Sequence, residues 1–208
     1  MKTQEIITLI NSYYTNKISE YGPQANGVDW NGKESQYLRF EQLSKVFLGS
    51  LNEPLSITDF GCGYGEYVNY LKKQKITFEY LGLDISEKML EFAQLHFNGP
   101  NIKFMKNIED CENRDYLIAS GVFNVRQDLN DKEWKFFIES NLISFNQHTQ
   151  KGFSFNLLTS YSDNFHMKDY LYYADPLYFF DFCKKKFSNN VALLHDYNLH
   201  EFTLIVRK

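Results

Sequence analysis

The stretch Asp59-Phe60-Gly61-Cys62-Gly63-Tyr64-Gly65 constrains the fold of this 208-residue chain more than any other. It lies between a short apolar run, residues 55–58, and the amphipathic run Glu66–Lys73, so it reads as a tight turn from a strand into a helix. Glycines at alternate positions accept positive φ and let backbone N–H groups come close to a ligand. The helix that follows directs its positive dipole end at the same spot. Such a turn suits a small polar or anionic ligand. Its spacing is GxGxG, with an acid two residues before the first glycine, and that differs from the GxGxxG of most dinucleotide binders.

Around this turn the chain alternates strand and helix. Ile6, Ile7, Leu9, Ile10, Tyr13 and Tyr14 recur at helical spacing until Tyr21-Gly22-Pro23. A second helix is expected from a Ser35 cap to about Leu48. Strands are expected at 55–60, 78–83, 102–105, 116–119, 153–158, 191–194 and 202–206. Helices are expected at 66–73, at 86–97 behind a Ser86 cap, from Asn130 with Glu133 three residues on, and from Asp175-Pro176 to Lys186. This order implies an α/β fold, a mostly parallel sheet wrapped by helices and closed by a hairpin that must be antiparallel. No linker divides it, so one domain is expected over residues 1–208, with a helical cap at 1–50 and a core at 51–208.

Composition narrows the partners. A formal net charge of -4 offers no global attraction to a phosphate backbone, which argues against nucleic acid. Cys62, Cys111 and Cys183 are odd in number and far apart, as expected for buried thiols in a reducing compartment. No apolar run approaches membrane-spanning length and the N-terminus lacks a signal-like core, so a cytoplasmic protein without membrane association is expected. No His/Cys cluster has metal-ligand spacing.

The glycine turn, the run Gly82-Leu83-Asp84-Ile85-Ser86 at the end of the second strand, and a last strand at the C-terminus together resemble the class I S-adenosylmethionine-dependent methyltransferases. The resemblance covers roughly residues 35–208 in element order. It implies a Rossmann-like fold with a seven-stranded, mostly parallel sheet, an antiparallel C-terminal strand and helices on both faces. It also implies S-adenosyl-L-methionine as methyl donor, with S-adenosyl-L-homocysteine as product.

From the resemblance, Asp84 would accept hydrogen bonds from both ribose hydroxyls. Asp59 would hold the turn, or the amino end of the cofactor directly or through water. Gly61, Cys62, Gly63 and Gly65 would form the cradle, and Ile85 and Ile108 would flank the adenine. Relatives often place an acid after the third strand. Here that position carries Asn107, whose amide oxygen can still accept a bond, while Glu109 and Asp110 are the alternatives. Ser120 and Gly121, after the fourth strand, would put a backbone carbonyl against the methionine amino group. Arg39 would offer a guanidinium fork to the cofactor carboxylate, or else be a solvated helix-face residue.

Acceptor groups must come from the carboxyl edge of the sheet. His195, beside Asp196, and His166 are the candidate general bases. Tyr14, Tyr161, Tyr172, Tyr173 and Tyr197 are candidate substrate contacts. The Asp/Asn-Pro-Pro-aromatic run of relatives that methylate exocyclic amines of nucleic-acid bases, or protein glutamine, is absent, since Ser120-Gly121-Val122-Phe123-Asn124 stands there. The expected activity is methyl transfer to a hydroxyl of a small molecule, of sugar or sugar-nucleotide type. Small-molecule N-methylation and a non-catalytic cofactor-binding subunit are the alternatives.

Overall fold

A computed structural model describes residues 3–28, 32–163, 165 and 167–208. Among these residues eight strands form one sheet: β1 (Leu55–Phe60), β2 (Phe78–Leu83), β3 (Ile102–Met105), β4 (Arg114–Ala119), β5 (Thr149–Thr159), β6 (Tyr173–Ala174), β7 (Asn190–Leu194) and β8 (Glu201–Arg207). The spatial order is β3-β2-β1-β4-β5-β8-β7, with the short β6 beside the end of β5. All strand pairings are parallel except those of β8, which runs antiparallel to both β5 and β7. The expected architecture is therefore present, with β6 as an eighth, two-residue addition. The strand order reverses between β1 and β4, which opens a crevice at their carboxyl ends.

Six α-helices accompany the sheet among the described residues: α1 (Thr3–Tyr21), α2 (Lys33–Ser44), α3 (Glu66–Lys73), α4 (Glu87–His96), α5 (Asp131–Gln147) and α6 (Pro176–Lys186). Their starts follow local chemistry. Ser86 Oγ accepts the Met89 N–H, Asn130 Oδ1 accepts the Glu133 N–H at 3.0 Å, and Asp175 Oδ1 accepts the Leu177 N–H at 2.9 Å. The expected Ser35 cap is not used. α2 begins two residues earlier, and the Ser35 hydroxyl instead donates to the Gly32 carbonyl. A 3-10 turn, Lys45–Phe47, continues α2 toward β1.

The two faces of the sheet bury separate cores. One packs α5 and α6 against β4, β5 and β8 through Trp134, Phe137, Phe145, Phe153, Phe155 and Phe179. The other packs α2 and α3 through Phe40, Leu43, Tyr67 and Leu71. Trp134 is fully buried and its indole N–H donates to the Phe123 carbonyl at 2.8 Å, which ties α5 to the segment after β4. Between β3 and β4 the connection is only a 3-10 turn, Ile108–Asp110, where a doubly wound fold would usually lay a helix. α1 closes that gap. Its Ile6 and Ile10 join the core that contains Ile108 and Phe137, and Ile18 packs on Tyr64 and Met89.

Candidate active site

The crevice above β1 and β4 holds a cavity of about 720 Å³, within the range of pockets that enclose a small molecule. Its floor is the glycine turn. Gly61 and Cys62 both donate their N–H groups to the Leu83 carbonyl, at 2.7 and 2.9 Å, so the turn folds back over the end of β2. Gly61 sits at φ 74, and a Cβ there would meet Val122 Cγ2 at 2.5 Å. A side chain is excluded on both counts.

Asp84 fastens β2 to this turn. Its Oδ2 accepts the Gly63 N–H at 2.8 Å and its Oδ1 accepts the Ser86 N–H at 2.9 Å. Burial pushes its carboxyl up to about 6, against the pull of those two N–H groups. Each oxygen keeps a second lone pair for a ligand donor. Asp59 is more deeply set, 3% exposed, and accepts the Tyr80 hydroxyl at 2.7 Å. Burial raises it to about 7, with Asp84 adding to the rise. The Cys62 thiol is driven well above its ordinary value by burial and by both carboxylates, so it is neutral and unreactive.

Two carboxylates that are costly to ionise now face one cavity, and a cationic ligand would relieve both. An apolar slot adjoins them. Ile85 and Ile108 line it, with Asn107 and Glu109 at its edge and Ser120, Gly121 and Val122 across from it. This donor set fits S-adenosylmethionine, which combines a diol, a planar base and two positive centres. α1 supplies Ile6, Ile7, Ile10 and Tyr14 as one wall, and α5 supplies Phe136, Phe137, Ser140 and Asn141 as another. Thr15 Oγ1 and Ser86 Oγ lie 2.9 Å apart, which pins α1 beside Asp84.

Of the sequence-derived positions, Asp59, Gly61, Cys62, Gly63, Asp84, Ile85, Asn107, Ile108, Glu109, Ser120, Gly121 and Tyr14 line this cavity together. The others do not. Gly65 is the N-cap of α3 at φ 85, and a Cβ there would meet Phe97 at 2.9 Å, so its role is to start the helix. Arg39 turns away and donates from Nε to Glu201 Oε2 at 2.8 Å, because the fully buried Glu201 needs a cation. Tyr172 is buried in the core and its N–H donates to the Asn124 carbonyl. The Tyr173 hydroxyl accepts the Lys168 N–H at 3.1 Å. Tyr197 is buried with its hydroxyl 2.9 Å from Thr203 Oγ1.

Tyr161 is 69% exposed and packs against the exposed His195 ring, centroids 5.9 Å apart, outside the cavity. His195 also contacts Phe202 edge-on at 6.1 Å. His166 lies outside the described residues. No histidine lines the cavity among the described residues, and no group of three potential metal ligands occurs among them.

Sequence reasoning did not assign Gln36, Phe40, Tyr64, Met89 or the α5 face to the site. The spacing of Ile6, Ile10 and Tyr14 marked a helix face, but only the absent helix between β3 and β4 explains why that face meets the cavity.

Comparison with known proteins agrees with this geometry. Residues 57–138 match the methyltransferase domain family. The protein Rv1506c of Mycobacterium tuberculosis, assigned as a methyltransferase, is 48% identical over 157 residues, covering 75% of this chain and 95% of its own length. Among solved structures, magnesium protoporphyrin IX methyltransferase (ChlM) from Synechocystis PCC 6803 with bound S-adenosylhomocysteine superposes with a TM-score of 0.64 at 14% identity, covering 100% of both chains. The DhpI-SAM-HEP complex superposes with a TM-score of 0.65 at 13% identity over 99% of each chain. The chain belongs to the S-adenosylmethionine-dependent methyltransferases.

Proposed function

We propose that this methyltransferase acts on a hydroxyl of a small molecule, of sugar or sugar-nucleotide type. The observation that carries the proposal is confinement. The cavity of about 720 Å³ lies between α1 and α5 and must take both the methyl donor and the acceptor. A folded macromolecule could present little more than a protruding side chain to such a space. The rest of the lining mixes Ser140, Asn141, Ser144 and Gln36 with Ile6, Ile7 and Phe136. Hydroxyl and amide side chains exchange hydrogen bonds with sugar hydroxyls, while apolar side chains cover C–H faces.

When bound, S-adenosylmethionine supplies an electrophilic methyl group on a sulfonium. The protein's contribution is alignment and charge. Asp84 would hold the ribose hydroxyls through its remaining lone pairs, with Ile85 and Ile108 flanking the base and Asn107 at its edge. Asp59 and the carbonyl of Ser120 would face the ammonium end, and the N–H groups of the glycine turn would allow close approach. The proton acceptors on the described walls are carboxylates, Glu109 and Glu133 among them. A hydroxyl proton released in the transfer would pass to one of these or to water.

The test is transfer of labelled methyl from S-adenosylmethionine to separate panels of sugar nucleotides, free glycosides, small amines and RNA. Label in a sugar or glycoside supports the reading, and label confined to amines or RNA refutes it.

A further inference from the structure

Asn156 is an expensive residue to place in the middle of a sheet. It lies in β5, fully buried, on the face that carries Ser154 toward α2. Its Oδ1 accepts the N–H of Gly121 at 2.7 Å, and Gly121 itself sits at φ 72. Behind it stands the buried pair Arg39 and Glu201, joined at 2.8 Å, while Asn156 Nδ2 and Glu201 Oε1 are buried without a hydrogen-bond partner among the described residues. Asn156 and Glu201 do not line the cavity, whereas Ser120 and Gly121 do.

A trans peptide is planar, and its N–H and C=O point in opposite directions. The N–H of Gly121 and the C=O of Ser120 belong to one such unit. Holding that N–H down against Asn156 turns the Ser120 carbonyl the other way, toward the cavity. We infer that Asn156 is a positioning residue that aims the Ser120 carbonyl at the cationic α-amino group of the methyl donor. The inference rests on the cofactor placement proposed above. It explains why an asparagine is buried where an apolar residue would pack at less cost.

The experiment compares two ligands in wild type, Asn156→Leu and Asn156→Asp by calorimetry. S-Adenosylhomocysteine carries the α-amino group, and methylthioadenosine keeps the adenosine and sulfur but lacks the amino-acid arm. Asn156→Leu is near in volume and removes the acceptor, so S-adenosylhomocysteine should bind about tenfold more weakly, the worth of one hydrogen bond to a charged group. Methylthioadenosine should change by less than about twofold. Asn156→Asp retains an oxygen for the Gly121 N–H and should keep the wild-type ratio between the two ligands.

If Asn156→Leu does not fold, Asn156→Ser, whose hydroxyl is too short to reach Gly121, carries the same expectation. A parallel loss of both ligands, or an unchanged ratio in the Leu or Ser variant, overturns the inference. Failure of wild type to bind either ligand overturns instead the cofactor placement on which it rests.

Discussion

Replacing Asp59 by asparagine tests whether the glycine turn is built around a carboxylate kept costly until a cation arrives. The buried Asp59 carboxyl is raised from its usual 3.8 to about 7. The folded chain therefore holds this proton more tightly than the unfolded chain does. Between these two values the folded state carries more protons, so the Asp59 contribution to stability falls as pH rises. At about 1.4 kcal/mol per pH unit, the cost reaches on the order of 4 kcal/mol above pH 7.

The asparagine amide would keep the acceptor for the Tyr80 hydroxyl and carry no charge at any pH. Urea denaturation of the ligand-free proteins should show no stability difference near pH 4 and an advantage for Asp59→Asn that grows toward a few kcal/mol by about pH 8. The same variant should bind S-adenosylmethionine on the order of tenfold or more weakly, having lost a charge-assisted partner. Wild-type affinity should strengthen as pH rises through about 7, because the ligand then meets an ionised Asp59, while the variant should keep only the rise near 6 that belongs to Asp84. Parallel stability profiles for the two proteins would refute the reasoning.

Asp84→Ala should weaken S-adenosylhomocysteine binding by about 1–3 kcal/mol in calorimetry, and unchanged affinity would remove Asp84 from the ribose site. Arg39→Met leaves Glu201 buried without its cation and should cost about 3–5 kcal/mol in denaturant unfolding, with the Arg39→Met, Glu201→Gln pair recovering more than half. His195→Ala should retain methyl transfer within about twofold of wild type once an acceptor is in hand, since the ring lies outside the cavity, and a hundredfold loss would return it to the chemistry.

Local signals in the sequence made much of this legible. The glycine turn, the Ser86, Asn130 and Asp175 caps and the alternation of strand and helix each act over a few residues. They located seven of the eight strands without any knowledge of packing, and the family resemblance singled out Asp84. What stayed hidden depends on distant partners. Arg39 and Glu201 are separated by 162 residues, and nothing in the run Glu201-Phe202-Thr203 says that its acid is buried. The tyrosines of residues 161–173 follow the same logic. Tyrosine suits a pocket wall and a packed loop equally well, and here the segment bonds to residues 124–127 instead of facing the cavity. The α5 wall was missed because its Phe136, Ser140 and Asn141 read as an ordinary mixed helix face.

The missing helix between β3 and β4 has a further consequence. Because α1 fills that space, one wall of the cavity is written in the first fifteen or so residues of the chain, while its floor and the Asp84 side are written between Asp59 and Gly121. The α1 wall and the floor of the cavity thus belong to separate stretches of sequence. On the proposed placement, changes at Ile6, Ile7, Ile10 and Tyr14 would reshape what is methylated while leaving Asp84 and the glycine turn in place.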